Sequence, residues 1–184
     1  MQLNISETSE ISRVIIVSDI DNDTSSEVIK SIESINELDA MREKTLKEYQ
    51  RQPIKMIIQS FGGSVHAGFA IIAAIRTSTT PIVTINYGMT MSMGFIIFLF
   101  GDVRLADKYS TFMWHDITTG EWDKLETVKD NVKESQRLVD LLIKITIEKT
   151  RIKRTQLDKI IKTKADWYIE PTEAVRLGIC SDVI

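Results

Sequence analysis

Ile57-Ile58-Gln59-Ser60-Phe61-Gly62-Gly63-Ser64-Val65-His66-Ala67-Gly68 runs from an apolar, β-branched segment through a glycine pair into an apolar helical stretch. It reads as strand, tight turn, helix, the unit from which α/β folds are built. Such a turn leaves backbone N–H groups free at a helix start, an anion site and one half of an oxyanion hole. A phosphate loop fits less well, because the P-loop spacing with its lysine and the Gly-x-Gly-x-x-Gly pattern are both absent. The plain alternative is an ordinary strand-to-helix turn.

Downstream, Tyr87-Gly88-Met89-Thr90-Met91-Ser92-Met93-Gly94-Phe95-Ile96-Ile97 sets one small hydroxyl in an apolar run bracketed by glycines. The residues after Ser92 read as a buried helix whose first N–H groups face incoming negative charge, the way an acyl-transfer enzyme presents a serine. By itself the pattern also fits helices that merely pack tightly. The chain has two histidines, so a Ser–His mechanism must use His66 or His115. His115 ends the strand-like run Ser110-Thr111-Phe112-Met113-Trp114 and is the favoured base, whereas His66 lies one turn into a helix, where it caps or packs. For an orienting carboxylate, Asp116 is adjacent, but strand alternation turns it to the opposite face. Asp166, in Lys164-Ala165-Asp166-Trp167-Tyr168-Ile169, lies in a loop-like stretch between a long helix and a short terminal one, with aromatic cover that desolvates it. Spacing alone does not choose between them.

Strand-like runs (Val14–Val17, Ile54–Gln59, Pro81–Asn86, Thr111–His115) alternate with helical ones. Thr24-Ser25-Ser26-Glu27 is a capping-box pattern ahead of Val28, Ile29, Ile32, Ile35 and Leu38. Leu125, Val128, Val132, Val139, Leu142 and Ile145 form a helical stripe within a charge-rich stretch from Lys124 to Arg154 that reads as a solvated face. Pro171 and Gly178 bracket the last helix. At 184 residues and 43% apolar, without repeats or Gly/Pro-rich linkers, the chain reads as a single domain, 1–184. A net charge of −3 argues against nucleic acid or a membrane surface as partner. The longest apolar run, Met89 to Phe100, falls short of the roughly 20 residues that span a bilayer. One cysteine, Cys180, excludes an internal disulfide and fits a reducing compartment; within Leu177-Gly178-Ile179-Cys180 it packs rather than reacts. Met1–Glu7 lacks a basic start and apolar core, so a cytoplasmic location is expected.

Gly62-Gly63-Ser64-Val65, Gly88-Met89-x-x-Ser92-Met93-Gly94, His115, and Asp166 followed by Glu173-Ala174-x-x-x-Gly178 together resemble the proteolytic subunit of the Clp protease (ClpP), a family of self-compartmentalised serine peptidases. The resemblance runs from about Arg13 to Ile184. It implies a ClpP/crotonase-like spiral of repeated β-β-α units with a protruding helical handle at 116–150. It implies Ser92 as nucleophile, His115 as base, Asp166 as orienting acid, and the N–H groups of Gly63 and Met93 as oxyanion hole, with Phe61, Gly62 and Ser64 in the substrate loop. No metal or cofactor is implied. The implied assembly is a homo-oligomeric ring, two stacked heptamers, cutting polypeptides delivered by a Clp-type ATPase unfoldase.

Departures accompany the likeness. Phe61 replaces the family's usual proline before the glycine pair, a bulkier wall and a less rigid turn; Asp116-Ile117-Thr118-Thr119-Gly120-Glu121-Trp122 replaces its usual Gln-Pro and glycine-rich strand. About a dozen residues, 1–12, precede Arg13 where the family has a longer gating segment. Between Ile29 and Pro53 the first helix is longer than usual, and its charged end (Arg42, Glu43, Lys44, Lys47, Glu48) faces outward. Three other readings stand beside this one. They are an acyl-CoA hydratase or isomerase of the same spiral fold, a catalytically silent ClpP-like subunit, and a ClpP-like processing protease, as in viral capsid maturation, acting without an unfoldase. The intact Ser, His, Asp set argues against the first two.

Overall fold

One long strand organises the chain. The computed structural model describes residues 11–117 and 124–184. In it, β2 (Ile54–Gly63) alternates buried and outward residues, sending Ile54, Met56, Ile58 and Ser60 inward. Parallel neighbours flank its first half: β1 (Val14–Ile20) through Ile16↔Ile57 and β3 (Ile82–Asn86) through Met56↔Thr84. Its second half also pairs with β4 (Met89–Met91) at Ser60↔Thr90. The strand therefore belongs to two sheets.

From there the chain climbs in steps. β3, β4 and the helix α3 (Met93–Phe98) form one β-β-α unit; β5 (Val103–Ala106), β6 (Thr111–Trp114) and α4 (Leu125–Lys149) form the next. In each unit the first strand extends one sheet (β3 to β5) and the second extends the other (β4 to β6), all in parallel. That is the spiral expected from the resemblance. After α5 (Arg154–Thr163), β7 (Trp167–Ile169) closes the second sheet antiparallel to β6. After α6 (Pro171–Arg176), β8 (Asp182–Val183) closes the first beside β5. The helices α1 (Asn22–Thr45) and α2 (Val65–Thr77) complete the core, packed through Val28, Ile32, Ile35, Ile71, Ile72 and Ile75. α3 is buried throughout, as its all-apolar sequence requires.

Several local expectations are corrected. Gly62 and Gly63 do not form a tight turn; they continue β2 against Asp19 and Ile20 of β1, at φ +116 and +148. A side chain at Gly63 would run into the Ile20 carbonyl, so the close approach of two strands, not a reversal, demands glycine there. α1 starts before the capping-box pattern, because Asp21 follows β1 directly and its carboxylate accepts the Thr24 N–H at 2.8 Å. The charged stretch is the helix α4 followed by a break at Thr150–Lys153, and its last residue, Arg154, starts a second helix, α5. The stripe on α4 divides: Leu142 is buried and Val139 and Ile145 pack on the core, while Val132 is exposed. Leu125's side chain, residues 1–10 and residues 118–123 of the expected handle strand lie outside the described residues.

Candidate active site

Parallel strands share an edge at their C-terminal ends, where loops of open α/β sheets gather functional groups. Here β2, β4 and β6 run side by side and deliver Gly62-Gly63, Ser92 and His115 to one edge. Ser92 lies one residue past β4, at φ +52 and ψ −123, a backbone conformation that a non-glycine residue holds at about 1–3 kcal/mol. Its N–H donates to the Met113 carbonyl at 2.9 Å, and its carbonyl accepts from Ile96 in α3. Strand on one side and helix on the other hold the elbow.

His115 follows β6 directly, and its Nε2 lies 2.8 Å from Ser92 Oγ. The acid is set by antiparallel register. Trp114 pairs with Trp167, so one residue after Trp114 and one before Trp167, His115 meets Asp166, with Nδ1 3.4 Å from Oδ1. That separation exceeds a good hydrogen bond, and the Asp166 side chain is 51% exposed, against 26% for His115. Whatever cover the neighbouring aromatics give leaves the carboxylate half exposed: β7 directs Tyr168 to solvent and Trp167 is half-buried.

The other candidates resolve differently. Asp116 belongs to the cleft lining, two residues past the end of β6 at Trp114, and its carboxylate is engaged by the N–H of Ile117 at 2.8 Å. His66 is exposed on α2 and caps nothing; Ser64 is the cap, accepting from Ala67 N–H at 3.3 Å. Cys180 is buried, and burial pushes its thiol up to about 11, away from the thiolate.

Gly62 touches the serine closely: a Cβ placed there would lie 2.6 Å from Ser92 Cβ, 2.9 Å from its Oγ and 3.4 Å from Met93 N. Gly68 of α2 has the same role beneath, since a side chain there would overlap that of Met93. Glycines at 62, 63 and 68 thus let β1, β2, α2 and α3 converge on the peptide groups flanking Ser92.

A cleft of about 420 Å³ opens at this edge. Phe61, Gly63, Ser64, Ser92, Met93 and His115 line it, and Val65, Ile96, Trp114, Ile117 and Leu142 give it apolar walls. Phe61 is 73% exposed, as its outward position on β2 dictates. Trp114 and Leu142 escaped sequence reasoning. In the sequence Trp114 is only the residue before a histidine, and Leu142 only one of a helical stripe. They meet through Thr146, which accepts the Trp114 indole N–H at 3.2 Å and donates to the Leu142 carbonyl at 2.8 Å. Among the described residues no cluster of His, Cys, Asp and Glu is arranged to hold a metal, and no helix is long and apolar enough to cross a membrane.

The chain is similar to the ATP-dependent Clp protease proteolytic subunit of Deinococcus radiodurans, 33% identical over 135 residues, or 72% of this chain and 65% of that protein. It is 28% identical over 136 residues to proteolytic subunit 2 of Treponema pallidum (72% and 67% of the two chains). Over 141 residues it is 28% identical to proteolytic subunit 1 of Chlamydia caviae (72% and 71%). The matched stretch is therefore about two thirds of the Deinococcus protein's length. A family model described as Clp protease matches residues 4–184, so that β-β-α spiral, glycine-lined elbow and sequence profile coincide, and the chain belongs to the Clp protease family.

Proposed function

We propose that this protein is a serine endopeptidase, a ClpP-like proteolytic subunit. The observation that carries the reading is the 2.8 Å contact between Ser92 Oγ and His115 Nε2 at the mouth of an apolar cleft, with Asp166 behind the ring. His115 takes the Ser92 proton through Nε2 while Nδ1–H points to Asp166, the tautomer this arrangement requires. Oγ attacks the peptide carbonyl, the oxyanion is received by the N–H groups of Gly63 and Met93, the amine leaves with the proton from His115, and water releases the acyl-enzyme. Phe61, Gly62 and Ser64 border the entering chain. No step calls for a metal or cofactor.

The single-domain subunit acts in a ring-shaped homo-oligomer, two stacked heptamers, in the cytoplasm, with a Clp-type ATPase supplying unfolded polypeptide. Family membership supports this assembly and partner.

The test is turnover of short fluorogenic peptides together with fluorophosphonate labelling, in the natural chain beside Ser92→Ala. The expected result is labelling only in the natural chain and turnover lowered by about 10⁴ to 10⁶ in the variant. A folded, assembled natural chain that neither labels nor turns over peptide overturns the reading and leaves a silent subunit.

A further inference from the structure

Ser60 occupies a core position of β2 in line with Ile54, Met56 and Ile58, yet carries a hydroxyl and is 1% exposed. The hydroxyl is committed: Oγ accepts the Gly62 N–H at 3.0 Å and faces the Gly62 carbonyl at 3.4 Å. Gly62 in turn lies against Ser92 Cβ and Oγ, where no side chain fits, and its successor Gly63 supplies one of the proposed oxyanion amides. The Ser60 side chain also packs beneath α3, since a Cβ on Gly94 would lie 3.2 Å from Ser60 Cβ. One buried side chain therefore touches both pieces of backbone that flank the reacting serine.

We propose that Ser60 is a positioning residue for acyl transfer, its hydroxyl clamping Gly62 so that the Gly63 amide and Ser92 Oγ keep the separation the tetrahedral intermediate needs. The inference rests on the peptidase reading above. An apolar residue at position 60 leaves the part-buried Gly62 N–H without its side-chain partner, and the glycine backbone then has the widest freedom of any residue to relax. The apolar walls of the cleft, Val65, Ile96, Trp114 and Leu142, are not partners in this hydrogen bond. Loosening the clamp therefore acts on the transition state more than on substrate binding.

The experiment is steady-state kinetics of the full-length chain and Ser60→Ala, per active site titrated with a fluorophosphonate, with affinity for a peptide boronate as the tetrahedral mimic. The expected result is a kcat lower by roughly 10-fold to 100-fold, below the 10²–10³ lost with a whole oxyanion donor. KM stays within about twofold, and boronate affinity falls in proportion to kcat/KM. Thr84→Val is the control, because it removes another buried hydroxyl, one that donates to the Phe98 carbonyl at 2.9 Å away from the cleft. It lowers the unfolding midpoint and keeps kcat per titrated site. Ser60→Cys, with a weak acceptor of similar size, falls between the natural chain and Ser60→Ala, and carries the test if the alanine variant does not fold. Unchanged kcat and boronate affinity in a variant at position 60, or a loss no different from that of Thr84→Val, overturns the inference alone. A natural chain that is inert to fluorophosphonate and peptide overturns the peptidase reading and this inference with it.

Discussion

Two carboxylates join distant parts of this chain, and they do so in opposite ways. Asp39, on α1, is fully buried and saturated: the Arg13 guanidinium pairs with it, the Tyr49 hydroxyl donates at 2.6 Å and the Thr80 hydroxyl at 2.6 Å. Asp166 is half exposed, with His115 Nδ1 at 3.4 Å as its partner beside an open cleft. A charge whose every lone pair is claimed fixes the start of β1, the end of α1 and the loop before β3 in one place. A charge left in solvent at a strand end does little for stability and remains available to orient a ring that changes protonation.

The comparison is sharpened first at the site itself. Replacing Ser92 with alanine is the largest effect expected, with folding unaltered. Asp166→Asn comes next: removal of the orienting charge lowers kcat by about 10² to 10⁴, while the urea midpoint stays near that of the natural chain. Kinetics and chemical denaturation of the same preparation measure both. A variant that loses stability and keeps its turnover places Asp166 with Asp39 and breaks the contrast.

At Asp39 the expectation is reversed. Asp39→Asn leaves the Arg13 cation without its partner, and the loss in unfolding free energy is about 2–4 kcal/mol, below the usual 3–5 because Arg13 keeps 20% exposure. Turnover per titrated site is unchanged. Denaturant titration reads the first quantity and active-site titration the second, and a variant whose folded fraction is inactive contradicts the division of labour.

Legibility in the sequence follows how local each determinant is. Ser92 stands out because glycines at 88 and 94 and an apolar helix surround it within one short stretch. His115 is found by elimination from a pair and by the strand before it. Asp166 is different: its pairing with His115 depends on the antiparallel register of β6 against the three residues of β7, which carry no periodicity long enough to read. Only the family resemblance reached it. β4, β5 and β8, at 3, 4 and 2 residues, are illegible for the same reason, and the glycine pair at 62 and 63 misleads because close strand approach and a turn call for the same residue. Asp39 is indistinguishable in sequence from the other charges of α1, since nothing in its neighbourhood predicts that Arg13, Tyr49 and Thr80 converge on it.

Acid titration gives the smallest effect and isolates the saturated carboxylate. Burial pushes the Asp39 carboxyl upward, but hydrogen bonds from Arg13, Thr80 and Tyr49, with the Arg13 charge, outweigh it and bring the group down from 3.8 to about 2. The folded-state value lies below the unfolded one, so above about pH 4 both states are ionised and the contribution is complete. As pH falls from 4 toward 2 the unfolded chain binds its proton first, and stability declines with it. The shift corresponds to roughly 2 kcal/mol. Other carboxylates held low by hydrogen bonds, such as Glu134 beside Arg137, are present in both proteins and cancel in a difference; Glu43 beside Arg51 cancels less fully, because the Asp39 charge pushes its carboxyl up. The urea-derived stability gap between the natural chain and Asp39→Asn, measured at pH 4.5, 3 and 2, therefore narrows by roughly 2 kcal/mol across that window. A gap that stays constant with pH means that the Asp39 charge is not what binds Arg13, Tyr49 and Thr80 together, and that the cluster holds by shape and neutral hydrogen bonds alone.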